Sequence, residues 1–238
     1  MPLPKISTPT YELELPSTGK PVKYRPFLVR EEKLLVLAME SEDTKQITEA
    51  VKEVIKNCVQ TKSLKIESLP TFDIEYLFLN IRGKSVGEEL EVNLICPDDE
   101  ETSVLTKINV EDIKVTKDAE HSPKIQVDDQ IIMEMKYPSL DEFIKDNFDV
   151  GGNTMEKSFE LIASCIDKIY TEEEVWVSAD VTKKELMTFL DQMNSSQFKK
   201  VEKFFETMPK LSHSVKVTNP NTGVESTIVL EGLSSFFA

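Results

Sequence analysis

Few residues in this sequence are equipped for chemistry. Histidine occurs only at His121 and His213. A nucleophilic engine built on serine or cysteine needs a histidine that its neighbours orient. His121 follows Asp118 and Glu120 in a polar loop, and His213 lies between Ser212 and Ser214 in a strand-like stretch. Both read as structural or exposed. The cysteines, Cys58, Cys96 and Cys165, are odd in number and far apart, with no C-x-x-C pair. Neither a zinc ribbon nor a disulfide framework can be built from them. Cys58 and Cys165 fall in apolar helical patterns, where a thiol acts as a small hydrophobe, and such usage fits a reducing compartment.

The acidic runs are no more promising. Asp98-Asp99-Glu100-Glu101 lacks the alternating ligands and internal glycine of a calcium-binding loop. Glu172-Glu173-Glu174 reads as the solvated continuation of a helix end. Gly83-Lys84-Ser85 has the ending of a phosphate-binding loop, but the upstream glycine is missing. It also falls at a helix end, where no backbone cradle precedes a helix N-terminus. The expectation is no catalytic residue, no cofactor and no metal site, and hence no enzyme.

The elements that would position any site are clearer. Tyr11, Leu13 and Leu15 alternate with Glu12 and Glu14 before Ser17-Thr18-Gly19-Lys20, which predicts a β-hairpin over 10–29. Helices are predicted over 30–39, from Ser41 or Asp43 to Cys58, and over 72–85, the last ended by Gly87. Residues 88–137 alternate in the manner of a meander or small antiparallel sheet. After Pro138 the helical period returns: a short helix from Ser139 through Ile144, a break with Gly151-Gly152, and a helix over 154–170. A strand or turn follows at Val175-Trp176-Val177, then helices from Thr182 and Ser195, and a closing hairpin around Asn219-Pro220-Asn221-Thr222-Gly223. The fold class is therefore α+β: terminal β-hairpins, two helical groups and a β-rich middle insertion. The divisions fall at 1–87, 88–137 and 138–238, with the first and last expected to pack as one unit and the two hairpins to share a sheet.

Charge narrows the partners. The formal net charge is −15, which disfavours nucleic acid phosphates and anionic lipid and favours a basic protein partner. No signal region opens the chain and no run of about 18 apolar residues occurs. The expectation is a chain made in a cytoplasm that binds neither nucleic acid nor membrane.

Two segments look more specialised than a core demands. From Leu69 to Gly87 the apolar residues nearly surround the helix, with Asp73 and Arg82 needing partners or exposure. That suits a central core helix or a partner surface. The tail Leu233-Ser234-Ser235-Phe236-Phe237-Ala238 either tucks back or docks. The candidate partner-binding residues are Asp73, Tyr76, Leu77, Arg82, Leu233, Phe236 and Phe237. These segments, with Phe189-Leu190-Asp191, the 198–209 helix, Val217-Thr218-Asn219-Pro220 and Leu230-Glu231-Gly232-Leu233, resemble the baseplate hub and hub-assembly proteins of T4-type myoviruses. The likeness spans most of the chain and is weakest over 98–150. It implies a non-enzymatic phage tail protein that helps build the baseplate hub. By that likeness it would act as a hub subunit or as an assembly chaperone absent from the virion. Its partners would be other baseplate or hub proteins, homo-oligomers being left open, and its place the host cytoplasm during assembly and the virion tail baseplate.

Overall fold

The structure is a computed structural model and describes residues 6–41, 43–139 and 154–236. It is α+β, with helices beside small antiparallel sheets. The chain forms two compact units. Unit 1 gathers Met1–Ile66, Phe72–Thr116 and Lys210–Ala238; unit 2 comprises Glu67–Thr71 and Lys117–Pro209. The β-rich stretch from 88 to 137 is thus divided between both.

Unit 1 opens with a hairpin of β1 (Tyr11–Glu14) and β2 (Pro21–Tyr24). Gly19 supplies the left-handed turn residue at φ 66°. Two helices follow, α1 (Val29–Glu40) and α2 (Thr44–Cys58). Asp43 caps α2 by accepting the Lys45 N–H at 2.9 Å. The helical spacing of α2 buries Val51, Val54, Ile55 and Cys58. The next helix, α3 (Thr71–Val86), is apolar nearly all round and is enclosed accordingly: Ile74, Leu77, Leu79 and Ile81 are almost wholly buried. Gly83 allows close approach, since a Cβ there would sit 3.2 Å from Val110 Cγ1.

Strands β3 (Glu89–Ile95) and β4 (Ser103–Asn109) make a second hairpin. Then β5 (Lys114–Thr116) pairs with β10 (Lys210–Thr218), which also pairs with β11 (Glu225–Glu231). Leu90, Val92 and Leu94 alternate inward to meet Leu79, Leu211, Val217, Leu230 and Phe236 in one core.

The terminal hairpins do not share a sheet, contrary to the sequence reading. The second edge of β10 is taken by β5, with Leu211 opposite Val115. The outer edge of β2 is taken by the chain after α2: Gln60 N–H donates to Lys23 O at 2.8 Å, and Lys23 N–H to Thr61 Oγ1 at 2.9 Å.

Unit 2 contains a four-stranded antiparallel sheet in chain order: β6 (Lys124–Gln126), β7 (Ile132–Met135), β8 (Ile166–Tyr170) and β9 (Val175–Val177). Its helices are α4 (Thr154–Ser164), α5 (Lys183–Asp191) and α6 (Ser195–Thr207). The expected helix over 154–170 stops at Ser164, and 166–170 is strand. The cause is a bulge: β8 meets β7 as Lys168 opposite Glu134 but Ile166 opposite Met135, leaving Asp167 extra. The added residue turns Ile166 and Ile169 to the same buried side, three apart, which mimics a helical period. The acidic Glu172-Glu173-Glu174 therefore lies in the β8–β9 turn, closed by Thr171 N–H to Glu174 O at 2.9 Å, and not at a helix end. Thr182 and Glu185 form a reciprocal cap on α5, and Asn194 Oδ1 accepts the Ser196 and Gln197 N–H groups at 2.9 and 3.0 Å on α6. The expected helix from Ser139 through Ile144 and the glycine break lie largely outside the described residues.

Candidate partner-binding cleft

In unit 1 a cleft of about 830 Å³ opens beside the first hairpin. One wall is β1 and the turn after it, the floor is Tyr76, Asn80 and Lys84 of α3, and the far wall is 110–114. The sequence places these residues by simple periodicities. Tyr76, Asn80 and Lys84 are spaced i, i+4, i+8 and so share one helix face. Lys84 Nζ lies 5.7 Å from the centre of the Tyr11 ring, an attraction between cation and π face, and it also pairs with Glu88 and, at 3.8 Å, with Glu111. Those carboxylates raise its pKa. Tyr11 and Tyr24 stand 5.9 Å apart, and burial raises the Tyr24 phenol.

Two buried polar contacts hold the hairpin against the helices. The Asp73 carboxylate accepts the Ser17 N–H at 3.0 Å and the Ser17 hydroxyl, which pins the hairpin turn to the first turn of α3. Burial raises the Asp73 carboxyl despite these bonds. Arg25, directly after β2, reaches Glu31 at 3.0 Å, and donates to the Pro26 and Asn57 carbonyls at 2.8 and 2.9 Å. Burial alone would raise the Glu31 carboxyl. Hydrogen bonds from Arg25, the Leu28 N–H and Arg30 outweigh it and lower the pKa to about 2.

A third polar contact was not read from the sequence. Asp98 and Asp99, taken there as part of a solvated run, grip the buried Asn219. Its Nδ2 donates to Asp98 Oδ2 at 3.0 Å and Asp99 Oδ2 at 2.9 Å, and Thr222 Oγ1 donates to Asp98 at 2.6 Å. Hydrogen bonds from Thr222 and Asn219 lower the Asp98 pKa, and those from Thr102 and Asn219 lower that of Asp99. The β3–β4 loop is thereby tied to the β10–β11 turn. The only hint in sequence was that Asn219-Pro220 and Asp98-Asp99 are both turn formers.

The candidate partner residues separate by burial. Tyr76 is half-buried and lines the cleft. Asp73 and Leu77 are fully enclosed, and Phe236 is 2% exposed in the unit 1 core. Those three are enclosed within unit 1, and the tail tucks back at Phe236. Arg82 is half-buried, Leu233 starts the last 3₁₀ turn with its side chain outside the described residues, and Phe237 lies outside them entirely. His213 is half-buried in β10 opposite Leu230. His121 lies in its polar loop and takes the structural of the two expected roles, buried in unit 2: its ring nitrogens lie 3.0 Å from Thr207 Oγ1 and 3.0 Å from Tyr137 Oη, and the ring packs on Phe204. Among the described residues no three His, Cys, Asp or Glu side chains gather in a way that could hold a metal, and no helix is long and apolar enough to cross a membrane.

The fold is α+β, and the cleft of unit 1 is edged by a strand and lined by tyrosines. The family model of the T4 bacteriophage base plate protein matches residues 8–238. The chain belongs to that family, which gives it a role in a phage baseplate, with other baseplate proteins as partners. Neither the curated proteins nor the solved structures contain a match to it.

Proposed function

We propose that this chain is a subunit of the baseplate central hub of a T4-like phage, and that it works by binding neighbouring baseplate proteins without bond chemistry of its own. The observation that carries this is the family match across nearly the whole chain, joined to a cleft suited to a polypeptide. Its tyrosines offer large, rigid contact area of the kind enriched at interfaces. On α1, Val29, Val36, Leu37 and Met39 are also exposed, interleaved with Glu32, Lys33 and Glu40. On this reading the protein is made in the host cytoplasm and carried into the tail baseplate.

Mass spectrometry of purified virions beside infected-cell lysate tests the proposal. The chain is expected in virions at a fixed ratio to other baseplate proteins. Presence in lysate complexes and absence from virions would replace the subunit reading with that of an assembly chaperone. Partner binding that survived loss of the cleft tyrosines Tyr11 and Tyr76 would remove the cleft from the account.

A further inference from the structure

The cleft wall formed by β1 is a strand edge with nothing bonded to it among the described residues. The pairing shows which groups it offers. Leu15 N–H donates to Lys20 O at 3.0 Å, so residues 15 and 20 form a bonded pair. Bonded and non-bonded pairs alternate along an antiparallel ladder. Leu13 with Val22 and Tyr11 with Tyr24 are therefore bonded, while Glu12 opposite Lys23 and Glu14 opposite Pro21 turn their backbone groups outward. Lys23 confirms the phase, since its own N–H and C=O face away from β1, toward Thr61 and Gln60. Pro21, with no N–H to give, fits only a non-bonded site. The N–H and C=O of Glu12 and Glu14 thus face outward along the cleft wall.

We propose that this edge takes an extended, lysine- or arginine-bearing segment of another baseplate protein as a third strand of the β1–β2 sheet, lying in the cleft over α3. The proposal rests on the reading that the chain binds other baseplate proteins. Strand addition uses main-chain bonds for affinity and alternate side-chain sites for specificity. Every second side chain of such a segment would point to the floor, toward Tyr76 and Asn80. The charge around it selects the occupant. Glu12, Glu14, Glu111 and Asp112 border the cleft against Lys84 and Lys114 alone, and Lys84 is already paired with Glu88. Among the described residues Glu12 has only an exposed contact with Lys23 at 3.9 Å, which neutralises it weakly. The same charges oppose a second copy of this chain. Two β1 strands side by side would bring the Glu12 and Glu14 carboxylates of both copies onto one face, and like charges across strands are destabilising.

Glu12→Pro is the direct test, because it deletes an outward N–H and spares every β1–β2 bond. Two measurements are made, the first on the full chain and the second on the full chain beside this variant. One is amide exchange at Glu12 and Glu14, in the free chain and in baseplate assemblies isolated from infected cells. The other is fluorescence anisotropy with overlapping synthetic peptides tiled across the other baseplate proteins of the phage. The expected result is slowed exchange at both amides on assembly. A peptide rich in lysine or arginine should bind and lose at least about tenfold in affinity against Glu12→Pro and again at high salt. If Glu12→Pro melts well below the native chain, Glu14→Lys replaces it, with the same loss expected from charge reversal. Exchange at these amides unchanged in a chain that does enter the baseplate would overturn strand addition and leave the baseplate reading intact. A chain that enters no assembly and binds no peptide would remove both. Protection already present in the free chain overturns the stated occupant. If it depends on concentration the occupant is a second copy, and if it disappears on deleting residues 1–9 it is the chain's own N-terminal segment.

Discussion

The two units bury their polar groups in different ways. Unit 1 is stitched from three separate stretches of chain, and beside the local Arg25–Glu31 pair several of its buried polar contacts are long-range: Ser17 with Asp73, Arg25 with Asn57, Asp98 with Asn219. Unit 2 is almost one continuous stretch, with its sheet in chain order and its one buried histidine set among aromatics. In unit 1, charged and amide groups fix which segments meet. In unit 2 the sheet follows chain order and the core is largely apolar, although His121 also joins Thr207 across 86 residues. Buried polar partners specify an arrangement because a wrong one strands a desolvated group. An assembly of distant segments has more wrong arrangements to exclude.

The sharpest way to break this comparison is Phe236→Ala. Phe236 closes the unit 1 core from the chain's far end, and truncating a buried phenylalanine costs roughly 4 kcal/mol. Amide exchange should show the loss across β3, β10 and β11, with the unit 2 sheet keeping its protection. Equal loss in both would mean that they are not separate cores.

Glu31→Ala comes next. It leaves the Arg25 guanidinium buried without its carboxylate, at a cost of about 3 kcal/mol. The pH dependence follows from the lowered pKa. The stability that Glu31 contributes is fully present above its ordinary value of 4.5 and is lost as pH falls through about 2. Unfolding midpoints measured from pH 6 to pH 2 should fall in the native chain by more than in Glu31→Gln.

A smaller effect, about 2 kcal/mol, is expected for Asn219→Ala, which removes the amide that Asp98 and Asp99 share. Asn219→Asp should be worse, since it sets a third carboxylate against two. Urea titration of both variants checks the order.

The smallest effect lies in unit 2. Burial lowers the His121 pKa, with Lys117 adding to it, so the native state disfavours the charged ring. Stability should then be undiminished above the ordinary value of 6.5 and decline as pH falls below it, no more steeply than about 1.4 kcal/mol per pH unit. The trend should vanish in His121→Gln. Tyr137 and Thr207 flank the ring, and Lys117 and Asp118 are the charged groups that act on it. A stability profile flat between pH 7 and pH 5 in the native chain would contradict the buried, neutral ring.

Much of the fold was legible because its signals are local. The alternation at 11–15, the amphipathic spacing at 47–58, the cap at Asp43 and the stop at Gly87 each lie within a window of a few residues, and all stand in the structure. The enclosure of α3 followed from its apolar circumference. The candidate site was half-legible. Tyr76, singled out in sequence, lines the cleft, but Leu77, one residue on, faces the core, and the all-round apolar pattern held nothing to separate them. Strand β8 was misread because its bulge copies a helical spacing, and that bulge exists only against β7.

By itself, then, the sequence determined the types of the elements, the α+β class, the acidic charge and the family likeness, because periodicity and composition act over short range. Only the tertiary structure decided which edges are used. The partner of each strand depends on which other edges compete for it: β5 reached β10, and the chain after α2 reached β2. Among the described residues the outer edge of β1, where Glu12 and Glu14 turn their backbone groups outward, is one of the edges left unpaired. No local pattern encodes that, because an edge is free only when every other segment has found a better place to pair.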